Sequence, residues 1–195
     1  MSTTKSAHGA HHGNSHPQSG HRHLSHHHRH PRPSTIGNFV DKAPAIMQDL
    51  MTTFGLTAVQ AAAVVGNLGT ESANFTAYHE RGQAENRGGY GWAQWTAARR
   101  RTFFAWADAH HLPRESDAAS LGYLEHELQT THRRVITHLK QQTDLTAATH
   151  VFMREFEGPG VPHESSRQTH ATIAFQSYER KQTAQEQSVP IPRPR

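Results

Sequence analysis

Between Thr57 and Ser72 the chain reads Thr-Ala-Val-Gln-Ala-Ala-Ala-Val-Val-Gly-Asn-Leu-Gly-Thr-Glu-Ser, and this segment limits the fold more than any other. Thr57 followed three residues later by Gln60 is a capping box, in which each side chain satisfies the other's free backbone N–H at a helix start. Ala61 to Val65 are five consecutive apolar residues, so the helix that follows has a broad apolar side and must lie buried. Gly66 and Gly69 each cost a helix about 1 kcal/mol relative to alanine. A buried helix that carries both needs a close approach by another backbone or by a ligand. Other elements therefore have to wrap around this one.

Those elements also read as helices. Phe39, Val40, Ile46, Met47, Leu50, Met51 and Phe54 give near-helical spacing over 38–54. Pro44 suits a first turn, so the regular helix is predicted to begin there, with Gly55 ending it. Thr96 is expected to cap a third helix with Phe103, Phe104 and Trp106, and Ser116 or Asp117 to start a fourth with Leu121, Leu124 and Leu128. A fifth carries Val135, Ile136 and Leu139. A sixth starts at Thr146 and stops at Gly158-Pro159-Gly160, and a last one spans about 166–180. Residues 73–95 look irregular, with a small β-hairpin expected over 88–95. The fold class is mainly α.

Apolar residues are unevenly distributed. Hydrophobic content is 34% and mean hydropathy −0.79, yet residues 1–35 hold ten of the 19 histidines and no large aliphatic side chain beyond Leu24 and, at its start, Met1. Such a segment cannot bury enough surface to offset its ordering entropy, and reads as a disordered, solvated arm. A folded domain is expected over 36–180, followed by a disordered Pro/Arg tail over 181–195. The chain has no cysteine, which excludes thiol nucleophiles and disulfides. No run approaches the roughly 18 apolar residues of a membrane span. The polar start predicts no secretory signal, and so a place in a host cytoplasm or on a virion. Net charge is +4 and the pI about 9.8, but no basic stripe is interleaved with aromatics, so no nucleic-acid partner is expected. Arg99-Arg100-Arg101 is expected on a solvated helix face. His126-Glu127 and His163-Glu164 lack the second histidine of a zinc-binding helix, so neither a metal nor another cofactor is called for.

The chemistry centres on Glu71. Leu68 lies one turn earlier, so if it faces the core, Glu71 sits at the core's edge. Partial desolvation and the negative helix C-terminus would both favour the neutral acid, which protonating a glycosidic oxygen requires. In Gly88-Gly89-Tyr90-Gly91-Trp92-Ala93-Gln94-Trp95, the rings of Tyr90, Trp92 and Trp95 could stack on pyranose rings and Gln94 could hydrogen-bond. The glycines would let a sugar chain approach the backbone. A hairpin with core tryptophans fits the same residues.

Gly66 to Ser72, then Gly88 to Thr96 followed by arginines, then Val151-Phe152-Met153-Arg154-Glu155-Phe156-Glu157-Gly158-Pro159-Gly160, resemble the phage tail lysozyme family over about 40–180. That family is related to goose-type lysozymes and soluble lytic transglycosylases. The resemblance implies a lysozyme-like helical domain with a cleft, and cleavage of the β-1,4 bond between N-acetylmuramic acid and N-acetylglucosamine. It implies Glu71 as general acid, with Tyr90, Trp92, Gln94 and Trp95 as substrate-cleft residues. Glu80 and Glu85 are the candidates for a second carboxylate, although relatives of this kind can work with one acid. Gly158 departs from the arginine more usual there, and Glu157 is read as structural, paired with an arginine. The implied partner is bacterial peptidoglycan, reached by a monomer together with other phage tail or lysis proteins. A non-catalytic wall-binding module of the same fold is the alternative, and a helical nucleic-acid-binding domain fits the pI alone.

Overall fold

A computed structural model describes residues 35–188, which hold seven α-helices and one π-helical turn. They are α1 (Thr35–Phe54), α2 (Ala58–Glu71), α3 (Ala97–Ala109), α4 (Asp117–Gln129), α5 (Arg133–Leu139), α6 (Leu145–Phe152), the π-turn (Met153–Glu157) and α7 (Glu164–Ser188). The histidine-rich arm and the end of the tail lie outside the described residues. The helical domain runs past the expected end at 180, because α7 continues to Ser188.

The central helix is α2, in contact with α1, α6 and α7. Every residue from Gln60 to Gly69 is buried. Complete burial of Val64, Val65 and Leu68 contributes about 1.5–3 kcal/mol each. The capping box forms as expected: Gln60 N–H donates to Thr57 Oγ1 at 3.4 Å and Thr57 N–H to Gln60 Oε1 at 2.9 Å. The two glycines accommodate protein neighbours. A Cβ on Gly66 would stand 2.4 Å from the backbone nitrogen of Ala171 in α7, and one on Gly69 would stand 2.3 Å from the Phe39 ring of α1.

Three local expectations change. Pro44 lies inside α1 and starts nothing, since nine residues of helix precede it. Pro44 is buried, and the packing of α1 as a whole on α2 and α7 outweighs the backbone hydrogen bond that proline removes. The sixth helix starts one residue before Thr146, with Asp144 as its cap: Ala147 N–H donates to Asp144 Oδ1 at 2.9 Å. The hairpin over 88–95 is absent as paired strands. Isolated bridges alone link His79 with Tyr90 and Tyr90 with Trp95. Gly89 and Gly91 instead let the loop close on itself, for a Cβ on Gly91 would meet the Trp95 ring at 2.4 Å and one on Gly89 the backbone of Gln94 at 2.7 Å.

Candidate active site

Asn67 and Glu71 are one turn apart on α2 and so share a face. Opposite them, the first turns of α7 carry Arg167, which is 1% exposed. Its Nη1 donates to Asn67 Oδ1 at 2.9 Å, its Nε to Pro162 O at 2.7 Å, and its Nη2 to Glu71 Oε1. Asn67 in turn donates to Ala63 O at 2.9 Å and to Thr149 O in α6 at 3.1 Å. One buried guanidinium thus locks the end of α2 to α7, with α6 tied in through the same asparagine. Glu71 is the partly open member of the network, its side chain 23% exposed. Its surroundings differ from the apolar edge expected from Leu68, because an arginine takes up one carboxylate oxygen.

Glu71 opens onto a cleft of about 490 Å³. Glu80, Gln94 and Thr96 line it together with Glu157 to Val161 and His163. Two cleft residues, Gln94 (φ 47) and His163 (φ 46), hold left-handed backbone conformations rare for residues with a side chain. Such conformations persist where the surrounding structure over-determines them, and they cluster at functional sites. Gln94 is held by its amide, which donates to Gly91 O at 2.8 Å. Glu80 Oε2 accepts from Gly89 N–H at 2.8 Å.

The other expected site residues stand elsewhere. Trp92 and Trp95, each 1% exposed, belong to the core and offer no face to the cleft. Trp92 packs on Phe75, with ring centroids 4.8 Å apart. Trp95 stacks on Phe103 at the same separation and donates from Nε1 to Glu127 Oε2 at 2.7 Å. Tyr90 is half-buried, lies edge-on to Phe104 and donates to Glu115 Oε1 at 2.5 Å, away from the cleft lining. Glu85 is exposed and outside the lining; its backbone carbonyl accepts from Arg100 Nη2. Of the two candidate second carboxylates, Glu80 therefore reaches the cleft and Glu85 does not. Of the arginine run, Arg101 alone is exposed as expected. Arg100 is buried beneath the carbonyls of Glu85 and Gly88, while Arg99 pairs with Glu127 at 2.6 Å and donates to Phe156 O at 3.1 Å.

Two residues emerge that the linear sequence did not single out for the site. Arg167 lies 96 residues from Glu71, with no local pattern to mark it. Glu157, expected to pair with an arginine, makes no ion pair. The residue is half-buried and lines the cleft, but its Oε1 is sealed from solvent without a hydrogen-bond partner. Burial pushes the Glu157 carboxyl well above the usual carboxylate range, and the negative charge of Glu71 pushes it further. Arg167 and Arg99 act in the opposite direction, and Glu127 adds to the rise. An acid placed directly before Gly-Pro-Gly, as Glu71 is placed at the end of its own helix, was the available signal.

No helix among the described residues is long and apolar enough to cross a membrane. No curated protein matches the chain. The sequence profile described as phage tail lysozyme matches residues 41–186, which takes in α2, the cleft loop, the π-turn and almost all of α7. The chain belongs to the phage tail lysozyme family, a lysozyme-like family of peptidoglycan-acting enzymes.

Proposed function

We propose that the protein is a muramidase that cleaves the β-1,4 bond between N-acetylmuramic acid and N-acetylglucosamine, with Glu71 as a catalytic carboxylate. The observation that carries this reading is the position of Glu71: on the wall of an open cleft, at the end of a rigid buried helix, fixed by an arginine that solvent does not reach. A reacting carboxylate has to be held within a fraction of an ångström, and locked rotamers on regular elements do this better than loops. Gln94 and Glu80 supply polar groups at the cleft for a sugar chain, each fixed by a bond to the loop backbone.

Digestion of purified peptidoglycan tests the proposal. The wild type should generate new sugar ends, and Glu71→Gln should lower the rate by about 10²–10⁴-fold, the usual range for a lost acid–base group. The glutamine keeps an amide oxygen toward Arg167, so binding to intact walls should persist. A variant that clears walls at the wild-type rate contradicts the assignment. Binding of walls by the wild type with no cleavage would favour the wall-binding module.

A further inference from the structure

Beside the cleft lies a pocket of about 430 Å³, walled by Arg87, Gly88, Arg100, Arg101 and Phe104, and Thr96 belongs to the linings of both. The loop over 80–89 joins them as well. Glu80, which lines the cleft, accepts from Gly89 N–H at 2.8 Å, and Gly88, which lines the pocket, accepts from Arg100 Nη1 at 3.3 Å. A Cβ on Gly88 would stand 3.0 Å from Glu80 Oε2, so the two linings adjoin.

Three arginines line this pocket, and none of them forms an ion pair among the described residues. Arg100 is 8% exposed, with donors taken by the Glu85 and Gly88 carbonyls. Its guanidinium lies over Tyr90 and Phe104, 5.6 and 5.0 Å from the ring centroids. Arg87 and Arg101 are exposed, and their side chains bond to no other described residue. The acids around these rings are already engaged: Asp108 pairs with Arg114 at 2.5 Å, and Glu115 accepts from the Tyr90 hydroxyl at 2.5 Å. Glu85 is outside the lining. A concavity walled by one sign of charge draws guests of the other. Guanidinium groups in particular take carboxylates through two parallel N–H···O bonds.

We propose that this pocket is a subsite for the peptide stem of peptidoglycan, with a stem carboxylate held by Arg87 and Arg101 beside Phe104 while the glycan strand occupies the cleft. The inference rests on the muramidase reading. In that polymer the glycan presents hydroxyl and acetamido groups, whereas the short peptide on each N-acetylmuramic acid bears the carboxylates. A peptide that leaves the strand at the Thr96 edge of the cleft enters the adjoining pocket directly. Arg100 fixes the Gly88 wall, and Arg87 and Arg101 keep their donors free for the guest. Phe104 gives the small apolar side chains of such a peptide a surface to lie on.

Glycan strands with their peptides, and the same strands stripped of them by an amidase, test this with the full-length chain. Wild-type kcat/KM should be higher on the peptide-bearing strands by about tenfold or more, the scale of one hydrogen-bonded contact to a charged group. Arg87→Gln/Arg101→Gln should bring that ratio close to one, chiefly through KM. Arg133→Gln/Arg134→Gln removes the same two charges from the exposed start of α5 and should keep the ratio. A further measurement needs no variant: amidating the stem carboxylates with carbodiimide and ammonia should lower wild-type kcat/KM to its value on bare strands. Equal wild-type values on both substrates, an equal loss in the α5 variant, or no response to amidation overturns the proposal. If the wild type makes no new sugar ends from either substrate, the muramidase reading itself has failed. Co-sedimentation with intact and amidated walls then decides the subsite. A preference for intact walls that the Arg87/Arg101 variant alone loses supports it, and a preference that is absent or kept by that variant overturns it.

Discussion

At the scale of single residues, the site is organised by one buried cation. Arg167 has three side-chain bonds and almost no exposure, and it donates to the buried Asn67 Oδ1, to the partly open Glu71 Oε1 and to the Pro162 carbonyl. Removing it leaves the buried Asn67 Oδ1 without its donor and Glu71 without its counter-ion. Breaking one side of a buried ion pair typically costs about 3–5 kcal/mol, so Arg167→Ala should lower the urea-unfolding free energy by that order. A change below about 1 kcal/mol, the range of exposed pairs, would show that the network contributes little. Glu157 gives a second prediction, with a definite sign. Its folded value lies well above the ordinary 4.5, so folding favours its protonated form. The stability it contributes is fully present below 4.5 and is lost as pH rises through the raised folded value. Wild-type stability minus that of Glu157→Gln should therefore decline from about pH 4.5 upward; a difference that is flat with pH, read from thermal unfolding of both proteins, would contradict the assignment. Neither residue was legible as part of the site from the sequence alone. Arg167 acts across nearly a hundred positions, and the state of Glu157 depends on what seals it, which no linear pattern records.

At the scale of elements, local chemistry was readable and burial was not. The Thr57–Gln60 box and the Ser116 cap are short-range hydrogen bonds, and both form where the side-chain types predict. Pro44 has the same local signature as a helix start, yet tertiary packing carries α1 through it. The loop over 88–95 shows the same limit. Its residue types allow tryptophans facing a sugar or facing the core, and only the aromatic cluster of Phe75, Phe103 and Tyr123 decides for the core. The glycines of α2 were readable as close-approach points, though not what approaches. They make a sharp prediction. Helix propensity alone favours alanine at Gly66 by about 1 kcal/mol. A Cβ there would collide with the α7 backbone, and overpacking of that kind costs about 1–3 kcal/mol. Gly66→Ala should therefore lower the melting temperature, and an unchanged or higher value would mean that α7 can move aside.

At the scale of the whole described domain, α1, α6 and α7 pack around α2, and α3 packs with α4. The cleft draws on α2, the loop after it and the segment between the π-turn and α7. That division explains why the mainly helical class, the central helix and Glu71 could be read from the sequence while the residues that meet Glu71 in the cleft could not. A helix announces itself within twenty residues, but Glu71 and Glu157 come together only after α6 and α7 have packed on α2. The central claim is that this cleft breaks the glycan strand with Glu71 as a reacting group. Mass spectrometry of fragments from purified peptidoglycan, digested by the wild type and by Glu71→Gln, addresses it most directly. New sugar ends between N-acetylmuramic acid and N-acetylglucosamine with the wild type, and at least about a hundredfold fewer with the variant, are the predicted result. Fragments whose glycan strands stay intact, or equal cleavage by both proteins, would contradict it.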